Sequence, residues 1–365
     1  MSCLEILAAS VAGQRLSDDE FLLVADQASL YELAWCADEI RRRLHPDNVV
    51  SYVIDRNVNY TDICISACAF CAYFKAPESG DGMVLSRAEL LAKIDETKAL
   101  GGTQILLQGG LHPDLPLSWY EDMVAAIKAT GIHLHGFSPP EIVHLAELSD
   151  LSIGAVIEKL AAAGLDSIPG GGAEILSDRV RRRIAPRKCS ADQWLAVMEE
   201  AHRLGLRTTA TMMFGHIETI EERLEHLRRL RELQDRTGGF TAFIPWPFQP
   251  DHTVLGRQQH YSTSGLAYLR MLALSRIYLD NIANIQASWV TQGAKIAQTA
   301  LFFGANDLGS TMIEENVVAA AGVRFRLPKG EMIRLIETAG FSAVQRDCFY
   351  RPVTVADRLE AAVAP

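Results

Sequence analysis

The sequence predicts an α/β fold in which parallel strands, joined by helices, close into a TIM-like (β/α)8 barrel. From about residue 50, a short apolar run, a loop of glycine, proline and polar residues, and a helix recur about eight times. An open, doubly wound sheet is the other arrangement that this alternation allows. The apolar runs span 49–54, 104–107, 133–137, 165–168, 208–213, 241–244, 285–290 and, more weakly, the residues before Asn306.

Start and stop signals bound the predicted helices. Serine or threonine followed three residues later by glutamate or glutamine forms a capping box, whose side chains satisfy the free amide groups of a first turn. Glycine is typical of helix ends because it adopts the left-handed conformation there without strain. The capping boxes are Ser86 with Glu89, Ser190 with Gln193 and Thr219 with Glu222, and the terminal glycines are Gly101, Gly205 and Gly238.

The barrel pattern leaves a segment at each end of the chain. Residues 29–44 carry apolar side chains at the spacing of one helix face, which predicts a helix ahead of the barrel. The tail holds one more apolar helical pattern around Met332 to Ile336 and a β-like stretch near Phe349. We therefore expect an N-terminal helical extension over 1–48, the barrel over 49–320, and a C-terminal capping segment over 321–365.

Composition disfavours several classes of function. Asp and Glu outnumber Lys and Arg by 45 to 35, for a net charge of −10, whereas nucleic-acid binding normally needs a basic surface. The first residues lack the basic and apolar parts of a secretory signal, and no stretch approaches the ~20 apolar residues of a membrane span. We therefore expect a cytoplasmic protein that binds neither nucleic acid nor membrane.

The strongest chemical signal is the triplet Cys64, Cys68 and Cys71, in the loop after the first predicted strand. Thiolate sulfur is the usual ligand of iron–sulfur clusters, and three thiolates leave the fourth iron of a [4Fe–4S] cluster open to a substrate. A structural zinc site needs four ligands, commonly in two separated pairs, and His112 is a conceivable fourth ligand. The spacing favours the cluster over zinc or a redox dithiol.

The remaining cysteines lack a partner at ligand spacing. Cys36 lies on the apolar side of the first predicted helix, and Cys3, Cys189 and Cys348 are isolated in the sequence. Free cysteine behaves as a small apolar residue, so a packing role is expected for these side chains. No second cluster is predicted.

The CxxxCxxC spacing, with the aromatic Phe70 before the last cysteine, resembles the signature of the radical S-adenosylmethionine superfamily. The resemblance implies that the open iron binds the amino and carboxylate groups of S-adenosylmethionine. It also implies that one electron from the reduced cluster cleaves this cofactor to methionine and a 5′-deoxyadenosyl radical. Phe70 would shield the cluster from water.

Longer stretches narrow the resemblance to the dehypoxanthine futalosine cyclase family. Aminofutalosine synthase and the radical halves of deazaflavin synthase share much of the framework and stay open as alternatives. The order Tyr73-Phe74-Lys75 departs from the family's Phe-Tyr-Arg but keeps the basic residue. The similar stretches are 54–61, 108–113, 135–141, 168–174, 211–216 and 243–250.

The family reaction is an oxidative ring closure in the futalosine route to menaquinone. The adenosyl radical takes hydrogen from C4′ of the ribose of dehypoxanthine futalosine, and the carbon radical adds to the benzoate ring. Loss of a proton and an electron then restores aromaticity. The resemblance thus implies a small-molecule substrate and an external electron donor such as flavodoxin or ferredoxin.

The resemblance also implies which residues bind the cofactor. Gln108-Gly109-Gly110 ends the second strand, where glycine allows close approach to the methionyl amino group. Ser138 follows the third strand, Glu174 could bond the ribose hydroxyls, and Arg181 could pair with the methionyl carboxylate. An ordinary turn, a helix cap and a surface arginine are the respective alternatives for the glycine motif, Glu174 and Arg181.

The proton released on ring closure needs an acceptor near the barrel mouth, because active sites of such barrels lie at the C-terminal ends of the strands. His135 in the third strand, His216 at the end of the fifth and Asp307 after the eighth are the candidate catalytic residues. The sequence alone does not choose among them.

Overall fold

The computed structural model describes residues 1–258 and 262–354 of the chain. In chain order, its strands are β1 (Val49–Val53), β2 (Asp55–Asn59), β3 (Gln104–Gln108), β4 (His133–Gly136), β5 (Ser167–Ile168), β6 (Arg207–Phe214), β7 (Phe240–Pro247), β8 (Asn284–Ile285), β9 (Asp307–Ser310) and β10 (Ser342–Gln345). Within the described ranges, β2 to β8 form one parallel sheet in sequential order. In a second parallel sheet, β1 lies between β10 and β9.

The two sheets join into a closed barrel. Ile54 alone separates β1 from β2, so the two strands form one nearly continuous strand that belongs to both sheets. On the other side, a parallel bridge pairs Gln286, just after β8, with Asp307 in β9. The predicted barrel is confirmed. The open doubly wound sheet is excluded because its strand order reverses part-way, whereas the order here is sequential.

Strand β2 extends the first strand beyond the predicted end at residue 54. Its sequence is polar, yet all its residues are buried. The side chains of Asp55 and Asn57 line the cavity inside the barrel, where polar groups can meet a ligand. The apolar-run criterion missed this strand because the strand faces a site instead of a core.

The helices that surround the barrel begin where the sequence places capping boxes. All three predicted boxes are confirmed, with reciprocal bonds between side chain and backbone. No helix within the described ranges is both long and apolar enough to cross a lipid bilayer. The helices are α1 (Cys3–Val11), α2 (Asp18–Gln27), α3 (Leu30–Leu44), α4 (Arg87–Ala99), α5 (Leu117–Lys128), α6 (Pro139–Ser149), α7 (Ile153–Ala163), α8 (Asp178–Ile184), α9 (Ala191–Arg203), α10 (Ile220–Thr237), α11 (Gly265–Tyr278), α12 (Trp289–Ala300), α13 (Val317–Ala320) and α14 (Lys329–Thr338).

The N-terminal helices pack against the barrel's outer layer. Helix α3 contacts α1 and α11, and it buries Leu33, Cys36 and Ile40 on one face. These apolar positions match the helix that the sequence predicts over 29–44. The burial of Cys36 agrees with its expected packing role.

The C-terminal segment closes the barrel floor, the end at which the strands begin. Strand β10 pairs with β1, and the Arg346 amide then donates to the Tyr52 carbonyl oxygen (2.8 Å). The chain next turns inward, so that Arg346, Cys348 and Tyr350 line the central cavity. Of the predicted capping segment 321–365, residues 355–365 lie outside the described residues.

A buried ion pair fastens this floor. The Arg346 guanidinium lies 2.6 Å (Nε to Oδ2) and 2.9 Å (Nη2 to Oδ1) from the Asp307 carboxylate. Asp307 also accepts from the Ser51 hydroxyl (2.6 Å) and the Gly309 amide (2.8 Å). Burial by itself would lower the pKa of Arg346, but the charge and hydrogen bonds of Asp307, together with Tyr350 and Cys348, outweigh it and raise that pKa. The pair joins β1, β9 and the C-terminal segment.

Replacement of Asp307 by alanine should lower the free energy of unfolding by about 3–5 kcal/mol, because it leaves a buried guanidinium without its counter-charge. The matched control is Glu199→Ala, which breaks an exposed ion pair with Arg236 and should cost below about 1 kcal/mol. Chemical denaturation of both variants measures the difference. Equal losses would show that the floor does not depend on the Asp307 pair.

Candidate active site

The cysteine loop is anchored from three sides. It follows β2, at the end of the barrel where the strands finish. The Cys64 amide donates to the Lys75 carbonyl oxygen (2.9 Å) and the Ile65 amide to that of Leu111 (3.0 Å). The Ala69 amide donates to the Ile184 carbonyl oxygen (2.8 Å). The three bonds tie the loop to segments that follow β2, β3 and α8.

One thiol of this loop is buried, the other two are partly buried, and polar groups lie against two of the three sulfurs. Cys68 is only 5% exposed, and the Ser66 hydroxyl lies 3.1 Å from its sulfur. The Leu111 amide donates to the sulfur of Cys64 (3.3 Å). Burial raises the pKa of Cys68 to about 11 and also raises that of Cys71. Such sulfurs need an adjacent positive charge to exist as thiolates, and bound iron supplies one.

Lys188 places a second positive charge beside the loop. Its ammonium lies 5.1 Å from the centre of the Phe70 ring and 2.8 Å from Oε1 of Glu174. Burial would lower the pKa of Lys188, but the neighbouring Cys68 and Glu174 outweigh it and raise that pKa. The lysine is therefore charged, and it links the cysteine loop to the Glu174 loop.

The described residues fit a cluster better than a single ion. Within those ranges, no group of three or more His, Cys, Asp and Glu side chains converges tightly enough to hold one metal ion. The zinc alternative thus lacks a ligand set there, and Nδ1 of His112 instead accepts from the Asp114 amide (3.1 Å). A four-iron cluster is a larger body than one ion, with thiolate ligands that stand further apart.

The glycines after β3 are required by contacts within the protein. A Cβ at Gly109 would lie 2.4 Å from the Tyr60 ring, and one at Gly110 would lie 2.1 Å from the Ile63 carbonyl oxygen. Any side chain here would push β3 away from the cysteine loop. The sequence predicted close approach to a ligand, whereas the structure shows close approach to the segment that leads into Cys64.

Glu141 holds the glycine motif in place. Its Oε1 accepts from the Tyr60 hydroxyl (2.6 Å) and the Gly109 amide (3.1 Å). Its Oε2 accepts from the amide (2.7 Å) and hydroxyl (2.6 Å) of Ser138. Burial raises the pKa of Glu141, while these donors act against that rise. Ser138 is thus bonded within the protein, in a buried capping box at the start of α6.

Glu174 lies on a strained loop beside the cavity. Its φ of 41° is in the left-handed region, which a non-glycine residue rarely occupies. Oε1 pairs with Lys188, whereas the buried Oε2 lacks a hydrogen-bond partner among the described residues and lies 3.6 Å from Nη1 of Arg181. Strain and an unsatisfied buried oxygen are both costly, and both are typical of ligand-binding residues.

Arg181 supports this loop from behind. Its Nη1 donates to the Ala173 carbonyl oxygen (2.6 Å), and its Nε and Nη2 donate to that of Cys189 (3.0 and 2.7 Å). The side chain is buried and lies outside the cavity wall. Arg181 is therefore not a surface arginine, and its predicted pairing with a ligand carboxylate stays a prediction.

A cavity of about 300 Å³ runs through the barrel. At the end of the barrel where the strands finish, next to the cysteine loop, its wall includes Gln108, Gly171 and Glu174. At the floor, its wall includes Arg346 and Tyr350. The polar strand positions and the C-terminal residues were not predicted as site residues. Polar side chains at alternate positions of β2 were the one sequence signal for them.

The three candidate bases occupy different environments. His135 lines the cavity, and burial lowers its pKa to about 3. His216 lies outside the cavity wall, with Nε2 3.0 Å from the Met213 carbonyl oxygen and Nδ1 3.0 Å from Glu218. Asp307 is held by Arg346 behind the floor. The structure therefore brings only His135 of the three to the cavity.

Comparisons with known proteins agree with these features. The family model for the radical SAM superfamily matches residues 58–230, and that for the CofH/MqnC C-terminal region matches residues 237–359. The cyclic dehypoxanthine futalosine synthase of Streptomyces coelicolor is 44% identical, across 96% of this chain and 89% of that protein. Its namesake from Halalkalibacterium halodurans is 42% identical, across 99% and 98%.

Other relatives carry a different name. The 5-amino-6-(D-ribitylamino)uracil–L-tyrosine 4-hydroxyphenyl transferase of Archaeoglobus fulgidus is 44% identical, across 88% of this chain and 93% of that protein. Among solved structures, methylornithine synthase covers 98% of this chain with a TM-score of 0.71 and 18% identity, and this chain covers 99% of it. The hydrogenase maturase HydG has a TM-score of 0.75 at 14% identity, across 98% of this chain and 77% of that chain. The two structures share the fold.

Replacement of Cys68 by alanine should abolish the cluster, because it removes one of the three predicted iron ligands. The matched control is Cys189→Ala, which deletes another buried thiol on the far side of Lys188 and should keep the cluster. Iron and sulfide content after purification without oxygen, together with the visible absorption, measures both. Loss of the cluster from the Cys189 variant would mean that the ligand set is wrong.

Replacement of Glu141 by glutamine should weaken S-adenosylmethionine binding about tenfold, which corresponds to about 1.4 kcal/mol. The amide accepts at one end only, so either the Gly109 motif or Ser138 loses its acceptor. The control is Glu89→Gln, which alters an exposed capping box of the same type at α4. Calorimetric titration compares the two variants, and equal affinities would show that Glu141 does not position the cofactor loop.

Proposed function

The chain belongs to the radical SAM superfamily, and we propose that it converts dehypoxanthine futalosine to cyclic dehypoxanthine futalosine in menaquinone biosynthesis. The observation that carries this proposal is the 42–44% identity to two synthases of that name over nearly the whole chain. Both family models, one for the barrel core and one for the C-terminal region, fit the same assignment. The identity extends through the C-terminal residues that close the cavity floor.

As a radical SAM enzyme, the chain uses a [4Fe–4S] cluster and S-adenosylmethionine, which together supply a 5′-deoxyadenosyl radical. Cys64, Cys68 and Cys71 are the residues that we propose to hold the cluster. The burial of Cys68, the Leu111 amide on Cys64 and the nearby Lys188 support that role. A flavodoxin or ferredoxin is the proposed electron donor.

The residues around the upper cavity are proposed to bind the cofactor. Glu174 offers a buried, unsatisfied oxygen that suits a ribose hydroxyl. Gln108 lies on the cavity wall beside the fixed glycine motif, and Phe70 covers the cysteine loop. Ser138 and Arg181 act indirectly, because their bonds go to Glu141 and to backbone carbonyl groups.

The cavity below is proposed to hold the substrate during ring closure. Hydrogen loss at the ribose gives a carbon radical. This radical must add to the benzoate ring before it reacts with water or with a side chain. The enclosing barrel restricts the substrate and excludes bulk solvent, so that the two reacting parts stay close. His135 is the proposed acceptor of the proton that restores aromaticity, because it alone of the three candidates lines the cavity.

A second candidate function is the one that the archaeal relatives' name describes. The 44% identity of the Archaeoglobus fulgidus protein, over 88% of this chain, equals that of the Streptomyces coelicolor synthase. The name describes transfer between two molecules, an aminouracil and L-tyrosine, rather than closure within one. Both reactions start from the same cofactor chemistry, so the two functions differ in the substrate that the protein converts.

Reduced protein, incubated without oxygen with S-adenosylmethionine and dehypoxanthine futalosine, should release 5′-deoxyadenosine. It should also form a product lighter than the substrate by a hydrogen atom and a proton. A parallel reaction with the aminouracil and L-tyrosine should leave both unchanged. Mass spectrometry reads both mixtures, with Cys68→Ala as the inactive control and Cys189→Ala as the active one. A coupled product in the second mixture and an unchanged futalosine in the first would favour the transferase.

A further inference from the structure

Two histidines share one serine hydroxyl in the lower barrel wall. Nδ1 of His135 lies 2.8 Å from Oγ of Ser167, and Nε2 of His133 lies 2.7 Å from the same oxygen. The histidines are two residues apart in β4, so both side chains lie on one face of the strand, and His135 pairs with Ser167 of β5. The three side chains thus form a continuous hydrogen-bonded row.

This row leads from the cavity towards the outside. His135 lines the cavity and is buried, and with Nδ1 engaged by Ser167 its Nε2 is the nitrogen that serves the cavity. His133 lies nearer the start of β4 and is partly exposed. Its ring packs edge-on against Phe349 of the C-terminal segment, with 5.1 Å between centres. The outer end of the row therefore lies against the C-terminal segment at the floor, where His133 is still partly exposed.

The charges around the row leave both rings neutral. Burial lowers the pKa of His135 to about 3, with His133 and Arg346 acting in the same direction. Burial also lowers the pKa of His133. The charges of Asp166 and Asp347 act to raise this pKa, whereas those of Lys128 and Arg351 act to lower it. A neutral imidazole carries one donor and one acceptor nitrogen, as a hydroxyl carries both functions. The hydrogen bonds of the row can therefore all point the same way, with His135 donating to Ser167 and Ser167 donating to His133.

We propose that His135, Ser167 and His133 form a relay that carries the proton of ring closure out of the cavity. The proposal rests on the proposed cyclisation, which releases that proton in an enclosed space. When the C–H bond of the ring carbon breaks, the proton passes to Nε2 of His135. The electron pair of that bond rejoins the ring, and the surplus electron leaves to a one-electron carrier of the iron–sulfur or flavin class.

The proton then moves by exchange along the row. His135 donates its Nδ1 proton to Ser167, and Ser167 donates its own to Nε2 of His133, which releases a proton to solvent from Nδ1. Each of the three side chains donates one proton as it accepts another, so the relay leaves no net positive charge inside the barrel. The Cys348 sulfur, 3.4 Å from the Ser167 hydroxyl, is a weaker partner that leaves the stronger bonds to the histidines.

Replacement of Ser167 by alanine breaks the relay without touching the cavity wall. Hydrogen abstraction precedes proton loss, so 5′-deoxyadenosine formation should persist in this variant. Cyclic product per 5′-deoxyadenosine should fall about tenfold or more, within the range of lost general base catalysis. His133→Gln, which cuts the outer end, should show the same uncoupling, and Ser167→Thr, which keeps a hydroxyl, should restore the ratio.

The matched control is Thr208→Val. Thr208 is equally buried, and its hydroxyl bonds to a histidine, His202 (2.7 Å), outside the cavity wall. The control should keep the wild-type ratio of product to 5′-deoxyadenosine. The relay is overturned if the Ser167 and His133 variants also keep that ratio, or if they lose both products in proportion, which indicates only a structural role. Failure of the wild type to form cyclic product overturns the proposed function itself.

Discussion

The closure of the parallel sheet around Asp307 is the constraint on which the rest of the structure depends. A single bridge joins the first sheet to β9 at this residue, and the same carboxylate binds Ser51 and Arg346. An ion pair is costly to bury unless its remaining hydrogen-bonding groups are satisfied, and here the Asp307 carboxylate accepts four hydrogen bonds. These contacts thereby fix the C-terminal segment in the floor of the cavity inside the barrel.

A second buried carboxylate, that of Glu141, organises the mouth of the barrel, where the strands end. Glu141 accepts hydrogen bonds from Tyr60, which follows β2, from Gly109, which follows β3, and from Ser138 at the start of its own helix, and it sets the glycine motif against the segment that leads into the cysteines. Lys188 then connects that cysteine loop to Glu174. The two ends of the barrel are thus each organised around one buried acidic side chain, Glu141 at the mouth and Asp307 at the floor.

Local chemistry was predictable from the sequence, and long-range contact was not. The cysteine spacing, the capping boxes and the alternation of strands and helices are short-range patterns, and the fold they predict is confirmed. Strand β2 was missed because its polar residues face a cavity. Arg346 was missed because nothing near it in sequence shows that it meets Asp307. Arg181 and His216 looked like site residues by position, yet their partners are groups within the protein.

Transfer of deuterium tests the central claim, that a radical made at the cysteine loop reacts with the substrate in the adjoining cavity. Dehypoxanthine futalosine that carries deuterium at the ribose C4′ is incubated with the reduced protein and unlabelled S-adenosylmethionine. The 5′-deoxyadenosine should then carry one deuterium, and the new ring junction should carry none. Release of unlabelled 5′-deoxyadenosine together with cyclic product would contradict that claim.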